Sequence, residues 1–547
     1  MNFLTKPKSV ILLGFAVSVM FWVPHLDSFN VSKQTVLAIA AFTVFSACML
    51  SGSLVLSRLS SPLIWAPFLL FFGFLVSLFI APNFNLALYG PSGRLNGVLT
   101  YVSFLLLYLV ISINKLKVDS RDLLLTLSIL GAAQTLYNLI QLNGLDPIQW
   151  NNPYGFVIGT LGNSDFTIAL TSICFIATLW YLLNFASFSI KIALGLLLIL
   201  EIYVLFESQV RQGLVLIVFG VGCIVTHKLS LISRSLGFLS AICMGGLGAI
   251  SILGALRIGP LSSLVYKESI TFRGDYWRAA LEMFKEKPLF GIGFGHFGEA
   301  FSQFRDQLQV SRRGPAVISD QAHSVPLDFL ATGGIFLTFL YFLLIFVVFH
   351  SVLKSFRRNG WKNSQEVFIV LVLYGAYFLQ SLISIDQIGL GIWGWIFLGV
   401  LANMSRNHEK KSPMLHRRGV SPIVPGIVFS LSSLFMSFQW QADSAIKEAF
   451  MVTGDEEKSR LLRLQTLQNL NSPLLSSHYY AEASRILLSN GQIEGVEFAE
   501  RALEINPRDI EALKYLVILG RQIQDKGLIN KYGSRLKELD PYTDLLD

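Results

Sequence analysis

"PLDFLATGGIFLTFLYFLLIFVVFHSVL", residues 326–353, is the stretch on which the fold turns. A helix needs about 17–25 apolar residues to cross the hydrocarbon core of a bilayer, and this run exceeds that. It reads as a membrane helix in which Gly333-Gly334 permits a bend or close packing. Outward from it, apolar runs of spanning length recur from the N-terminus to about residue 438. In windows of about 19 residues they lie near 9–24, 34–56, 62–81, 97–113, 122–142, 165–184, 191–206, 213–228, 235–256, 326–353, 367–386, 388–404 and 421–438. Composition agrees: of 547 residues, 53% are hydrophobic and 14% charged, where a soluble chain carries roughly a quarter charged. The expected fold is all-α, a polytopic membrane protein of about thirteen transmembrane helices followed by a C-terminal helical repeat domain.

The first run follows "MNFLTKPK" and lacks a small-x-small cleavage site before "HLDSFN", so it reads as a retained first helix. Cys48, Cys174, Cys223 and Cys243 all fall inside apolar segments, with neither metal spacing nor a disulfide framework. They read as packing residues.

Lys and Arg set the orientation. "KPK" at the start, Arg58, "NKLKVDSRD", Lys191, "HKLSLISRS", "KSFRRNGWK" and "SRNHEKKSPMLHRRG" all fall on the N-terminal side of a thirteen-span chain. The positive-inside rule makes that side cytoplasmic. The net charge of +8 is then mostly loop charge facing anionic lipid, and no nucleic-acid partner is expected. The expected location is the plasma (inner) membrane, multi-pass, with a cytoplasmic N-terminus. Residues 1–438 form the membrane domain, interrupted by a long extracytoplasmic loop at about 257–325. An odd span count places the polar tail, 440–547, outside the cytoplasm.

That tail repeats. Pro473, Pro507 and Pro541 recur every 34 residues, the period of tetratricopeptide helix pairs. Tyr479, Ala483, Ile486, Ala499 and Ala502 stand where that pattern asks for aromatic, small and aliphatic residues. The second unit departs from it at Val517 and Gly533 and reads as a cap. Such units stack into a concave surface that suits a protein partner.

Polar residues gathered at span ends on one side of a membrane are functional candidates. On the outer side stand "YGPSGRLNG" with Arg94, "GTLGNSD" with Asn163, "ESQVRQG" with Arg211, "TFRGDYWRAALEMFKEKPLFGIGFGHF" with Arg273, and "SDQAHSVPLDFL" with His323. Lys33 reads as a snorkelling anchor, Arg278 as a helix-face charge and His296 as a loop histidine without a role. The glycines of "GIGFGHFG" lack the Lys-Ser/Thr of a phosphate loop and read as a tight turn after an amphipathic helix. Arginine grips diphosphate oxygens with a bidentate fork, and a near-neutral histidine accepts a proton from an attacking hydroxyl. Diphosphate leaves readily once its charge is neutralised, so no metal is needed. The set suits glycosyl transfer from a lipid-diphosphate donor, although spacing alone does not establish it.

The chain also resembles the O-antigen ligase / O-antigen polymerase superfamily of bacterial membrane proteins, over about residues 85–403. Arg273, Trp277, Pro288, Gly291, Gly293, Phe297, His323 and Gly334 match its most specific motifs. Val210 stands before Arg211 where Ser is common, and Ser324 follows the histidine where Asn is frequent. The resemblance implies a glycosyltransferase of the GT-C type, independent of metal, cofactor and nucleotide sugar. Its donor would be a glycan on undecaprenyl diphosphate at the outer face of the plasma membrane, and its acceptor a glycan, lipid or protein. Arg211 and Arg273 would bind the donor diphosphate and His323 would activate or orient the acceptor hydroxyl. Arg94 and, more weakly, Asn163 would add donor contacts, Asp320 would orient the histidine, and Asp386 would cap or line the cavity. Ligase and polymerase remain alternatives. So do a transporter, which should show broken helices with midplane charges, and a scaffold of polysaccharide assembly acting through its tail.

Overall fold

The structure, a computed structural model, describes residues 3–54, 61–150, 152, 157–255, 258–259, 262–265, 268–361, 363–406, 422–454, 456–468 and 470–546. Arg58 and most of the basic stretch 405–419 lie outside the described residues. Each expected run forms a helix: Pro7–Val19, Asn30–Leu50, Pro62–Ile80, Val98–Ser112, Ser120–Leu142, Ser164–Asn184, Phe188–Glu207, Arg211–Ile232, Arg234–Ala255, Val325–Asn359, Gln365–Ser381, Ile388–Ser405 and Ile423–Met451. These are called the first to thirteenth spans. Ten are long and apolar enough to cross a membrane, and the first, fourth and eleventh are shorter apolar helices. The protein is a multi-pass membrane protein, and no strand occurs among the described residues.

The twelfth span forms the axis. It is buried throughout and packs on the first, second, fourth, sixth, tenth and eleventh. Glycines let its neighbours close in: a Cβ on Gly394 would lie 2.0 Å from the Tyr377 ring. The seventh, ninth and thirteenth spans are mostly exposed apolar surface, as lipid-facing helices must be.

Contacts divide the span ends into two groups. At one end Lys8 meets Asp122 at 2.8 Å, Lys117 meets Glu366 at 3.5 Å, and Arg406 donates to the Ser112 carbonyl at 3.2 Å. Lys8, Lys117 and Arg406 therefore share one end. The opposite end carries the long loop and the tail.

Two residues depart from their expected roles at and around that scaffold. Lys33 does not snorkel: it is fully buried, and its Nζ donates to the carbonyls of Met20 and, at 2.8 Å, Thr160. Those carbonyls come from turns remote in sequence, so charge alone did not reveal them. Cys48 and Cys174 are buried packing residues, whereas Cys243 is exposed on the ninth span and packs little.

The tenth span is broken. Gly334 has φ 64° and ψ −170° between two helical pieces, a conformation essentially reserved for glycine. The segment 288–293 fills the break. Ile292 and Gly293 N–H donate to the Ala331 and Thr332 carbonyls at 3.0 and 3.1 Å, and Ile335 and Phe336 N–H donate to Pro288 and Leu289 at 2.9 and 3.1 Å. Backbone groups exposed by a broken helix need such partners inside a membrane protein. The approach is close: a Cβ on Gly334 would lie 2.4 Å from the Leu289 oxygen, and one on Gly291 (φ 70°) 2.4 Å from the Thr332 carbonyl carbon.

The long loop is helical as well, with Glu268–Glu286, Phe297–Phe304 and Gln307–Arg313 around a core of Tyr276, Ala280, Met283, Phe297 and Phe301. His296 has a structural role that its sequence setting concealed. It is buried, Nε2 accepts from Asn83 N–H at 3.0 Å, and Nδ1 faces the Phe294 carbonyl at 2.8 Å. Burial pushes its pKa down to about 4, so the ring stays neutral and ties the loop to the turn before the fourth span.

The thirteenth helix runs through residues 438–440 without interruption to Met451. Its last turns join a second core built by the helix pairs Ser477–Ser489/Gly495–Ile505 and Ile510–Gln522/Lys526–Leu539. Tyr479, Ala483, Ile486, Ala499 and Ala502 are all buried there, as are Val517 and Gly533, the latter under Leu546. The tail lies against the loop end of the bundle. Arg305 and Asp540 form a fully buried ion pair at 2.7 Å, Asn83 donates to the Ile505 carbonyl at 2.7 Å, and Asn85 donates to the Leu475 carbonyl at 3.0 Å.

Candidate functional site

Two turns build the centre of the site. One, residues 90–97, leads into the fourth span, and the other, residues 319–324, leads into the tenth. They are zipped together: Arg94 Nε meets Asp320 Oδ2 at 2.6 Å, and Asn96 and Gln321 exchange amide hydrogen bonds of 3.2 and 2.7 Å. Asn96 also donates to the Asp386 carbonyl at 3.2 Å, and Tyr377 donates to Asp386 Oδ1 at 3.1 Å. Asp386 is thus a buried brace between the eleventh and twelfth spans. The 319–324 turn is locked from below, where Asp328 accepts from Ala322 N–H at 3.1 Å.

His323 sits at the tip of this turn, half-buried. Its Nδ1 lies 3.2 Å from the Gln321 carbonyl and 3.4 Å from Ser319 Oγ. Asp320 makes no hydrogen bond to the ring; Arg94 takes its carboxylate instead. The carbonyl of Gln321 is the orienting group, and it places the proton on Nδ1 and leaves Nε2 as the acceptor. Burial lowers the His323 pKa below the ordinary imidazole range, outweighing the Gln321 contact and the Asp320 charge that raise it; Arg94 and Arg273 lower it further.

The helix Glu268–Glu286 supplies the opposite wall. The Tyr276 ring packs on the His323 ring with centroids 5.0 Å apart. One turn earlier Arg273, with its side chain 12% exposed, meets Asp165 at 3.3 Å. Asp165 stands in the first turn of the sixth span, and Asn163 caps that helix by accepting from Asp165 N–H at 2.9 Å. Asn163 is therefore exposed helix-cap geometry beside the cluster. Arg211 opens the eighth span at the same end and donates to the Ser263 carbonyl at 3.4 Å, near the start of the long loop. The structure thus gathers Arg94, Arg273 and His323 around Asp320 and Tyr276, and sets Arg211 and Asn163 on neighbouring turns.

Backbone conformation marks the same places. Among the described residues, Leu95, Gln209, His323 and Gln524 are the non-glycine residues with positive φ, at 51°, 55°, 51° and 57°. Three of these four are, or lie within two residues of, Arg94, Arg211 and His323. Strained backbone of this kind collects at functional sites.

Sequence reasoning missed Tyr276 and Asp165. Tyr276 carried a usable signal, since it stands one turn from Arg273 on a helix; Asp165 carried only its place in a first helical turn.

Residues 193–342 match the O-antigen ligase family. This chain carries an O-antigen ligase domain. The matched stretch runs from the seventh span through the long loop into the tenth, and it contains Arg211, Arg273, His323 and the whole joint of 288–293 with Gly334. Arg94, Asn163 and the tail lie outside it. A search of curated proteins gives no match. The O-antigen ligase domain supports a ligase- or polymerase-type role in polysaccharide biosynthesis.

Proposed function

We propose that the protein transfers a glycan from an undecaprenyl-diphosphate donor to a hydroxyl acceptor at the outer face of the plasma membrane. The observation that carries this reading is the convergence of Arg273, Tyr276, His323 and the Arg94–Asp320 pair at the end opposite the basic loops. The positive-inside rule supports placing that end outside the cytoplasm, together with the tail that packs on it.

Arg273 and Arg211, with Arg94 nearby, hold the diphosphate oxygens and the charge that grows on them as the bond to the sugar breaks. His323 Nε2 takes the proton of the acceptor hydroxyl as its oxygen bonds to the anomeric carbon. The lipid diphosphate leaves with the electron pair. All of these groups belong to the chain itself, and no metal or cofactor enters the scheme. The tail, whose helix pairs resemble tetratricopeptide units, forms one side of the acceptor approach.

The transporter reading has two observations in its favour, the first of them the broken tenth span. At that break the 288–293 segment takes up the Ala331 and Thr332 carbonyls and the Ile335 and Phe336 N–H groups, which argues against their coordinating a passing ion. Glu201 in the seventh span is a second: it is buried and neither carboxylate oxygen has a hydrogen-bond partner.

Reconstitution with a lipid-diphosphate glycan tests the proposal. The intact protein releases lipid diphosphate when acceptor is supplied; His323→Ala and Arg273→Ala do not, and Glu201→Gln does. Normal release by both site variants would remove the proposed site, and glycan carried across the bilayer by the intact protein with no release of lipid diphosphate would favour transport.

A further inference from the structure

On the face of Glu268–Glu286 turned away from Arg273, arginines crowd a single carboxylate. Asp275 is buried, and it meets Arg278, Arg313 at 2.5 Å and Arg312 at 3.5 Å. Arg278 also reaches Asp306 at 3.2 Å. Arg312 and Arg278 are half-exposed, whereas the Arg313 side chain is 9% exposed and lies over the Phe272 ring at 3.6 Å. The Nη1 of Arg313 is buried with no hydrogen-bond partner. One carboxylate satisfies one guanidinium fork; three arginines at Asp275 leave donors unmatched, and an unmatched buried donor is costly.

Placement gives this cluster meaning. Successive residues on a helix turn by about 100°, so Arg273 and Asp275 point to nearly opposite sides. Tyr276 projects between them and carries His323. Around one turn of helix the order is therefore the Asp165-paired Arg273, the histidine, and the arginine cluster. If the diphosphate lies on the Arg273 side, the incoming acceptor lies on the other.

We propose that Arg312, Arg313 and Arg278 form an anion subsite for the acceptor, and that the acceptor is a saccharide bearing a phosphate or carboxylate group near the hydroxyl that reacts. This rests on the transferase reading for the word acceptor; the site itself does not. An anionic oxygen entering beside Arg312 meets the exposed guanidinium edges and shares the charge now borne by Asp275 and, at Arg278, by Asp306.

The test is binding, which separates it from turnover. The intact protein in detergent is titrated with three short oligosaccharides that differ only at one terminal sugar: a phosphate monoester, a uronic acid, and the neutral parent. The expected result is a preference of about tenfold or more for an anionic form, lost in Arg312→Gln/Arg313→Gln and retained in Arg273→Gln. Should the double variant not fold, Arg312→Gln alone, a half-exposed position, still shows a smaller loss. The phosphate and carboxylate arms identify which anion is read. Equal affinity for the neutral sugar, an unchanged preference in the arginine variants, or loss of preference in Arg273→Gln instead would each overturn the proposal. A protein that keeps the preference yet never releases lipid diphosphate would instead contradict the transferase reading.

Discussion

His323 holds its backbone at φ 51°, a region that few non-glycine residues occupy, with Asn, Asp and His the most frequent among them. The zipped turns keep it there, and the reward is an imidazole whose Nδ1 is taken and whose Nε2 looks outward. Burial depresses its pKa and so favours the neutral ring. On the proposed mechanism the neutral form is the base, so kcat/KM is expected to rise with pH through that depressed pKa and to be flat above it. The same sign holds for folding: the unfolded chain binds this proton more readily, so acid destabilises the folded turn. His323→Gln is expected to lower transfer by about 10²–10⁴-fold and to abolish the acid limb. Tyr276→Ala should move that limb to higher pH by wetting the imidazole, while Tyr276→Phe leaves it in place; pH–rate profiles of the three variants check this. The histidine and its arginines were legible as residue types at one membrane end. The partner of Arg94 was not, because Asp320 lies 226 residues away and a carboxylate three positions before a histidine suggests the shorter-range pairing.

At the scale of elements, the tenth span and the 288–293 segment are one joint. The spans themselves were readable because apolar length is a solvation requirement that each segment must meet alone. The glycines of "GIGFG" were readable as a tight turn for the same local reason, since Gly291, Gly293 and Gly295 all have positive φ. What they dock against was hidden, because the docking is made by backbone groups, which leave no side-chain signature. Gly334→Ala tests the joint. An alanine there adopts a disfavoured φ/ψ costing about 1–3 kcal/mol and drives its Cβ into the Leu289 carbonyl. The thermal midpoint in detergent should fall clearly, and hydrogen exchange should speed up at Ile292, Gly293, Ile335 and Phe336. Gly52, which also has positive φ and where no atom lies within 4 Å of an added Cβ, serves as the control for the clash.

For the molecule as a whole, the decisive contact is the one between loop and tail. Arg305 also donates to the Pro315 carbonyl at 2.7 Å, so the pair with Asp540 fixes both the tail and the segment leading to His323. Removing one partner of a buried ion pair costs about 3–5 kcal/mol. Asp540→Ala should therefore loosen the last helix pair, seen as faster proteolysis between residues 507 and 546, and should lower transfer although no residue at His323 has changed. Normal transfer with a loosened tail would make the tail a bystander. The repeat period announced helix pairs in the sequence; that they would rest on the loop end of the bundle instead of extending from it could not be read from a periodicity. The unbroken thirteenth helix adds a consequence of its own. A tethered arm that fetches cargo needs slack, and here the tether is a rigid rod that ends in a clamped body. The helix pairs so clamped have no reach beyond the mouth, and on the proposed transferase reading the acceptor must arrive there by diffusion or be handed over by a neighbour at contact distance.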